Sequence, residues 1–218
     1  MEHDPKTFGA YYPVRNEKIR KSVTEEGRTL LKIHIEYPFC EEESRFAASF
    51  NTFYGGLAER FCRYCEKTAV PSAKERTDRP DGEIFRSVVS YNTENAVSVL
   101  SDVTHFRGDK NENERVRFSA VWSPCDGSFL QYSHFLPALG IKNRRELQKK
   151  VGDALWKMLD TDPDAFGLFE EGVKKYAYAQ RPQNYFLVPA GVAFWYDIGT
   201  VSKALDLYPT VVIPYASS

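Results

Sequence analysis

The sequence holds no apolar run approaching the roughly 18 residues needed to span a bilayer, so this chain is not expected to insert into a membrane. Its four cysteines, Cys40, Cys62, Cys65 and Cys125, are too sparse for a disulfide framework. No charge dominates either: 29 Lys and Arg face 30 Asp and Glu, for a net charge of -1. That balance gives no general attraction to phosphate backbones or anionic lipid, so nucleic acid is not an expected partner. There is no Gly-rich phosphate cradle and no Gly-x-Ser-x-Gly nucleophile motif. The stretch Met1–Tyr12 is polar and lacks the apolar core of a signal peptide. The compartment implied is the cytoplasm if the chain is complete, or an extracytoplasmic one if a targeting segment has been removed.

The patterned segments come in blocks. Leu31, Ile33, Ile35 and Tyr37 alternate with Lys32, His34 and Glu36, the period of a half-buried strand that Pro38 should end. A turn at Glu25-Glu26-Gly27 makes Ile19–Thr24 the partner strand of a hairpin. Phe46, Phe50, Phe53, Leu57, Phe61 and Cys65 then recur at helical steps, predicting a long amphipathic helix, with an exposed loop over Pro71–Gly82. Glu83–Tyr91, Ala96–Phe106 and Arg115–Trp122 read as strands, joined through Asn92–Asn95 and Gly108–Glu114, and Ser128–Ser133 as a short return strand. Asn143 and Glu146 form a capping box for a helix that buries Leu147, Val151, Leu155 and Met158. Ala165–Gln180 reads as a second helix, and Leu205–Tyr208 as a helical turn. Tyr185–Val188, Val192–Tyr196 and Thr210–Tyr215 close the chain as strands.

Strands and helices in separate blocks predict an α+β fold: an antiparallel sheet packed against a long N-terminal helix and two later helices. With no repeat, low-complexity tract or convincing linker, residues 1–218 read as one domain, with 1–18 a loosely ordered N-terminal segment. A chain of this length can bury roughly 70% of its unfolded surface and needs no disulfide or metal to fold.

The chemistry-bearing residues are few. Cys62-x-x-Cys65 has redox or metal spacing, but it falls near the end of the long helix, where the dipole opposes a thiolate. It lacks a second ligand pair, so packed thiols with no metal and no cofactor are the expectation. Asp160, Asp162 and Asp164 alternate like a calcium loop, yet Pro163 intervenes and the loop's Gly and final Glu are missing. His34 reads as an outward, solvated strand residue, and His134 has no nucleophile motif beside it. His105, near Arg107 and Asp109, is the histidine best placed for function.

Several segments together resemble a known family. They are Ile35-Glu36-Tyr37-Pro38-Phe39, Tyr91-Asn92 through Val97-Ser98-Val99, the Asp126-Gly127 turn, Phe135-Leu136, the run Asn184–Asp197, and the closing Val212-Ile213-Pro214-Tyr215. In this order they resemble the RsiV-like C-terminal domain family, over roughly residues 19–215. The resemblance implies a non-enzymatic, often extracytoplasmic module. In the anti-sigma factor RsiV that domain binds lysozyme, and a similar one accompanies a peptidoglycan deacetylase. Two segments depart from the family pattern: His105-Phe106-Arg107-Gly108-Asp109, where the family has Thr-Gly-Gly-Ala-His, and Tyr196–Ala204.

Those departures mark the expected binding loops, Arg107–Glu114 and Asp197–Lys203, because connecting loops on a rigid sheet concentrate binding residues. The candidate contacts are His105, Arg107, Asp109, Asp197 and Lys203, with no catalytic residue and no metal ligand assigned. The expected function is a binding or sensor module for a protein or cell-wall glycan. The alternative is a small hydrolase or transferase with a site assembled around His105.

Overall fold

The computed structural model describes residues 11–75, 79–108, 110–179, 181, 183–204 and 207–216, with backbone alone at 110–113 and 165. The architecture is α+β. The chain divides into two compact units: one holds the described residues up to Phe118 together with Trp122–Ser128, the other Ser119–Val121 and the residues from Phe129 onward.

The first unit begins with a hairpin, β1 (Val14–Glu25) and β2 (Arg28–Cys40). Its two-residue turn has positive φ at Glu26 (51°) and Gly27 (80°), the mirror-image turn that matches the twist of paired strands. β1 starts inside the stretch expected to be loosely ordered. It was hard to read because none of its residues is fully buried, so apolar alternation is faint. β2 continues through Pro38. Its ladder with β3 stops at Glu36, and a strand partnered on one side only accommodates a missing donor.

Ser44 caps α1 (Arg45–Tyr64), its Oγ accepting the Ala47 N–H at 3.1 Å. The Asn51 side chain accepts from the Cys40 N–H (2.8 Å) and donates to the Cys40 carbonyl (2.9 Å), tying the end of β2 to the helix. The helical run continues through a widened π turn (Cys65–Ala69) into α2 (Val70–Lys74), where a loop was expected from Pro71. Pro71 falls in the first turn of α2, a position that tolerates a missing N–H. The buried positions are Phe46, Ala47, Phe50, Tyr54, Ala58, Phe61, Cys65, Ala69 and Ala73, so Phe53 and Leu57 of the expected stripe are only half-buried.

The helical run returns the chain to the start of β2, so β3 (Asp81–Asn92) pairs parallel to it, from Leu31↔Asp81 to Glu36↔Arg86. β4 (Val97–Arg107) pairs antiparallel to β3, and β5 (Lys110–Trp122) lies beyond it, in the order β1-β2-β3-β4-β5. The expected antiparallel sheet is therefore mixed, since a crossover that returns the chain fixes strand direction as residue patterning cannot. Leu31, Ile33, Ile35 and Phe85 of the sheet pack with Ala58, Phe61, Cys65 and Ala69 of the helical run. Phe46, Phe50, Phe53 and Tyr54 surround Trp122 at ring distances of 5.4–6.4 Å.

In the second unit the expected return strand Ser128–Ser133 shortens to a bridge at Phe129, with Leu130 N–H given to Val121 O at 2.7 Å. It passes into a short 3₁₀ turn, Tyr132–Phe135, where His134 Nδ1 accepts the Gln131 N–H at 3.1 Å. Asn143 caps α3 (Arg144–Thr161) by accepting the Glu146 N–H at 3.0 Å, and Glu146 Oε2 accepts the Lys142 N–H at 2.9 Å. Leu147, Val151 and Leu155 form its buried side, with Met158 half-buried. The segment around Asp160, Asp162 and Asp164 includes a 3₁₀ turn at Pro163–Phe166. The expected second helix is only α4 (Glu170–Tyr176), because Gly167 takes a positive φ of 57° ahead of it. β6 (Tyr185–Val188), β7 (Gly191–Trp195) and β8 (Thr210–Pro214) form an antiparallel three-stranded sheet. Every residue of β7 is buried, the mark of a strand covered on both faces. The helical turn expected at Leu205–Tyr208 falls partly outside the described residues, and Leu207 and Tyr208 lie in neither helix nor strand.

Candidate functional site

Strand alternation places Asp81, Glu83, Phe85 and Ser87 of β3 on the face that carries Leu31, Ile33 and Ile35, under the helical run. On β4 the partners of that row are His105, Val103 and Ser101. Two carboxylates thus enter the core side of the sheet at the start of β3, and His105 and Arg107 meet them from the end of β4. The Glu83 side chain is fully buried and that of Asp81 is 1% exposed, against 13% for His105 and 19% for Arg107.

Isolated buried charges are strongly disfavoured, so this group must be paired, and it is. His105 Nδ1 donates to Glu83 Oε2. Arg107 Nη1 donates to Glu83 Oε1 at 2.8 Å and lies 3.8 Å from Asp81 Oδ2. Asp81 Oδ1 accepts the Gly108 N–H at 3.0 Å. Gly108 has to be glycine, because a Cβ there would stand 2.4 Å from the Arg79 carbonyl oxygen.

Tyr64, the last residue of α1 before the π turn, roofs the group, its ring 5.5 Å from that of His105. The Arg107 guanidinium donates a hydrogen bond to the Tyr64 hydroxyl. Burial and the Glu83 charge raise the Tyr64 hydroxyl above its usual range despite that bond. Burial alone would lower Arg107, but its bond to Glu83 and that carboxylate's charge outweigh it and keep the guanidinium charged. Cys65 lies buried beside the group, its thiol pushed up to about 12 by burial, then by the charge of Glu83. A thiol so raised is a poor nucleophile; Cys62, the other cysteine of Cys62-x-x-Cys65, is half-buried. Among the described residues no cluster of three or more His, Cys, Asp or Glu side chains is arranged to hold a metal ion.

The expected binding loop Arg107–Glu114 is not a loop. β4 runs through Arg107 and β5 begins at Lys110, leaving a two-residue connection. His105 and Arg107 are therefore strand residues aimed into the core side, brought together on Glu83. Asp109 lies outside the described residues. Asp197 and Lys203 belong to the second unit. There Asp197 lies 3.4 Å from Arg181 and accepts from Asn184 at 3.2 Å, and Lys203 stands over the Phe169 ring at 5.7 Å. The turn between them is held by Phe169 N–H to Val201 O (3.2 Å) and Lys203 N–H to Gly167 O (3.0 Å). His34, expected to be solvated, is half-buried, with Nε2 buried and without a hydrogen-bond partner among the described residues.

Sequence reasoning missed Asp81, Glu83 and Tyr64. The signal available was Asp81-x-Glu83 opening a strand two residues at a time, which places both acids on one face.

No family model and no curated protein matches the sequence. Solved structures do match. A DUF3298 family member from Bacteroides fragilis NCTC 9343 superposes with a TM-score of 0.65 at 10% identity, covering 94% of this chain and 91% of that one. A DUF3298 family protein from Pseudomonas aeruginosa PAO1 gives 0.53 at 12% identity, covering 93% and 91%. At these identities the likeness is one of fold. Among the described residues no helix is long and apolar enough to cross a membrane.

Proposed function

We propose that the chain is a non-catalytic binding module akin to the C-terminal domain of RsiV, engaging a protein or cell-wall glycan through an exposed connection. The observation that carries this reading is the closed state of the Glu83 group. Both carboxylate oxygens are taken, by His105 and by Arg107, and Asp81 is spent on Gly108. Such a network fixes the register of β3 and β4 and holds their end in place; it leaves no carboxylate oxygen of Glu83 to act as a base. The turn Asp197–Lys203 is backed by main-chain bonds and presents Lys203 outward, a rigid platform with an exposed charge.

A hydrolase or transferase centred on His105 has one observation in its favour. A carboxylate holding Nδ1 is the orienting half of a catalytic triad. The nucleophile half is lacking, for no hydroxyl or thiol of the described residues hydrogen-bonds His105.

The test is hydrogen exchange on the full chain with lysozyme and with soluble peptidoglycan fragments as probes. Protection at Asp197–Lys203 that weakens in Lys203→Glu is the expected result. Protection confined to the outer faces of the helices, or turnover of a fragment that His105→Ala abolishes, would overturn it.

A further inference from the structure

The five-stranded sheet ends in β1, which has a neighbour on one side only among the described residues. β1 is twelve residues long, contains no proline, and buries none of its side chains fully. Its outer backbone N–H and C=O groups are therefore a template for another strand. Ile19 and Val23 carry the apolar row of the core out to this edge, half-buried. The opposite face carries Lys18 and Arg20, whose cross-strand partners are Glu36 and His34, and Lys32 lies beside Ser22.

The edge is electropositive. Glu17 is paired with Arg15 (2.7 Å), Glu25 with Lys74, and Glu36 lies within reach of Lys18 (3.6 Å) and Arg86 (3.7 Å). Arg20, Lys21 and Lys32 are exposed and pair with no acid among the described residues.

We infer that β1 is a docking edge for an extended acidic peptide segment of a partner protein, which adds as a sixth strand; this rests on the reading of the chain as a binding module. Each alternative occupant meets an obstacle. A second copy pairing β1 to β1 with Ile19 facing Ile19 would set Lys18 against Arg20, and like charges across strands repel. A ligand without a peptide backbone cannot complete the ladder. An acidic strand does both: its backbone takes the open donors and acceptors, and its side chains fall alternately on the two faces. Residues beside Ile19 and Val23 would be apolar, and those beside Lys18 and Arg20 acidic. The basic residues that keep copies of this chain apart are thus the ones that select an acidic strand.

The experiment is fluorescence anisotropy of the full chain with a labelled twelve-residue peptide of alternating Glu and Val. Three comparison peptides accompany it: one with Lys for Glu, one of the same composition but scrambled, and one N-methylated on alternate backbone nitrogens. The acidic alternating peptide should bind, and the Lys and scrambled forms should not. N-methylation along one edge should abolish binding. The double variant Arg20→Glu/Lys32→Glu, at exposed positions on the face of Lys18 that leave the melting midpoint in place, should weaken binding about tenfold and admit the Lys peptide. Equal binding of the N-methylated or scrambled peptide would mean charge attraction without strand addition and would overturn the proposal, as would no binding at all. Exchange protection by lysozyme or peptidoglycan fragments that the double variant leaves intact would overturn the edge while leaving the module reading standing.

Discussion

The two sheets of this chain stabilise their interiors in opposite ways. In the five-stranded sheet the charged side chains of Asp81, Glu83 and Arg107, with the imidazole of His105, sit on the core side beneath Tyr64 and Cys65. In the three-stranded sheet the enclosed residues are Tyr185, Leu187, Val192, Ala193, Phe194, Trp195, Val211 and Ile213, and the nearby charge pair, Arg181 with Asp197, stays exposed. Polar atoms there include the tyrosine hydroxyls given to main-chain carbonyls, Tyr185 to Leu130 and Tyr196 to Ala177, and the buried Trp195 Nε1, which has no hydrogen-bond partner among the described residues. Apolar burial stabilises without direction, whereas a buried charged group stabilises only the register that pairs every member. The first unit therefore gains a fixed β3–β4 end at the risk that losing one partner exposes the rest.

That contrast can be pressed at several points. Phe194→Ala in the second unit should cost about 3–5 kcal/mol by urea denaturation, with no dependence on salt. A loss below about 1 kcal/mol would mean this interior is looser than its burial implies. In the first unit, Asn51→Ala should cost about 1–3 kcal/mol, because it orphans both backbone groups of Cys40. Tyr196→Phe should cost about 1 kcal/mol, the loss of one buried hydroxyl bond.

The smallest effect is alkaline. Burial lifts the Cys65 thiol from 9.0 to about 12, so above pH 9.0 the unfolded chain loses this proton first. The stability linked to the neutral thiol is complete below pH 9.0 and is lost as pH climbs toward about 12. Melting midpoints taken between neutral and alkaline pH should therefore fall less steeply in Cys65→Ala than in the parent. Equal slopes would place the thiol in contact with water.

Much of the fold was legible because it rests on local periodicity. The β1–β2 hairpin follows from its turn residues, and β4, α1, α3 and the β6–β7 hairpin from their repeats and caps. What the sequence could not carry was set by distant contacts. The parallel pairing of β2 with β3 depends on where the helical run returns the chain. Phe53 and Leu57 read as well for the buried stripe as Tyr54 and Ala58, and packing alone chose the second pair. At the site, polarity pointed the wrong way. On β3, Gly82 and Ile84 alternate with Asp81 and Glu83, and on β4, Phe106 sits between His105 and Arg107. Hydrophobicity by itself would turn Ile84 and Phe106 inward, a shift of one residue that reverses both faces. Only the mutual pairing of these four polar residues makes the observed phase stable, and that is a property of pairs across strands.

Whether the Glu83 group is structural can be read from a double-mutant cycle on Glu83→Leu and Arg107→Leu, measured by urea unfolding. Each single variant leaves a buried charge without its partner and should lose about 3–5 kcal/mol, while the double variant should recover a large part of that loss. Single variants that stay within about 0.5 kcal/mol of the parent, while binding or turnover disappears, would contradict this account and assign the group to function.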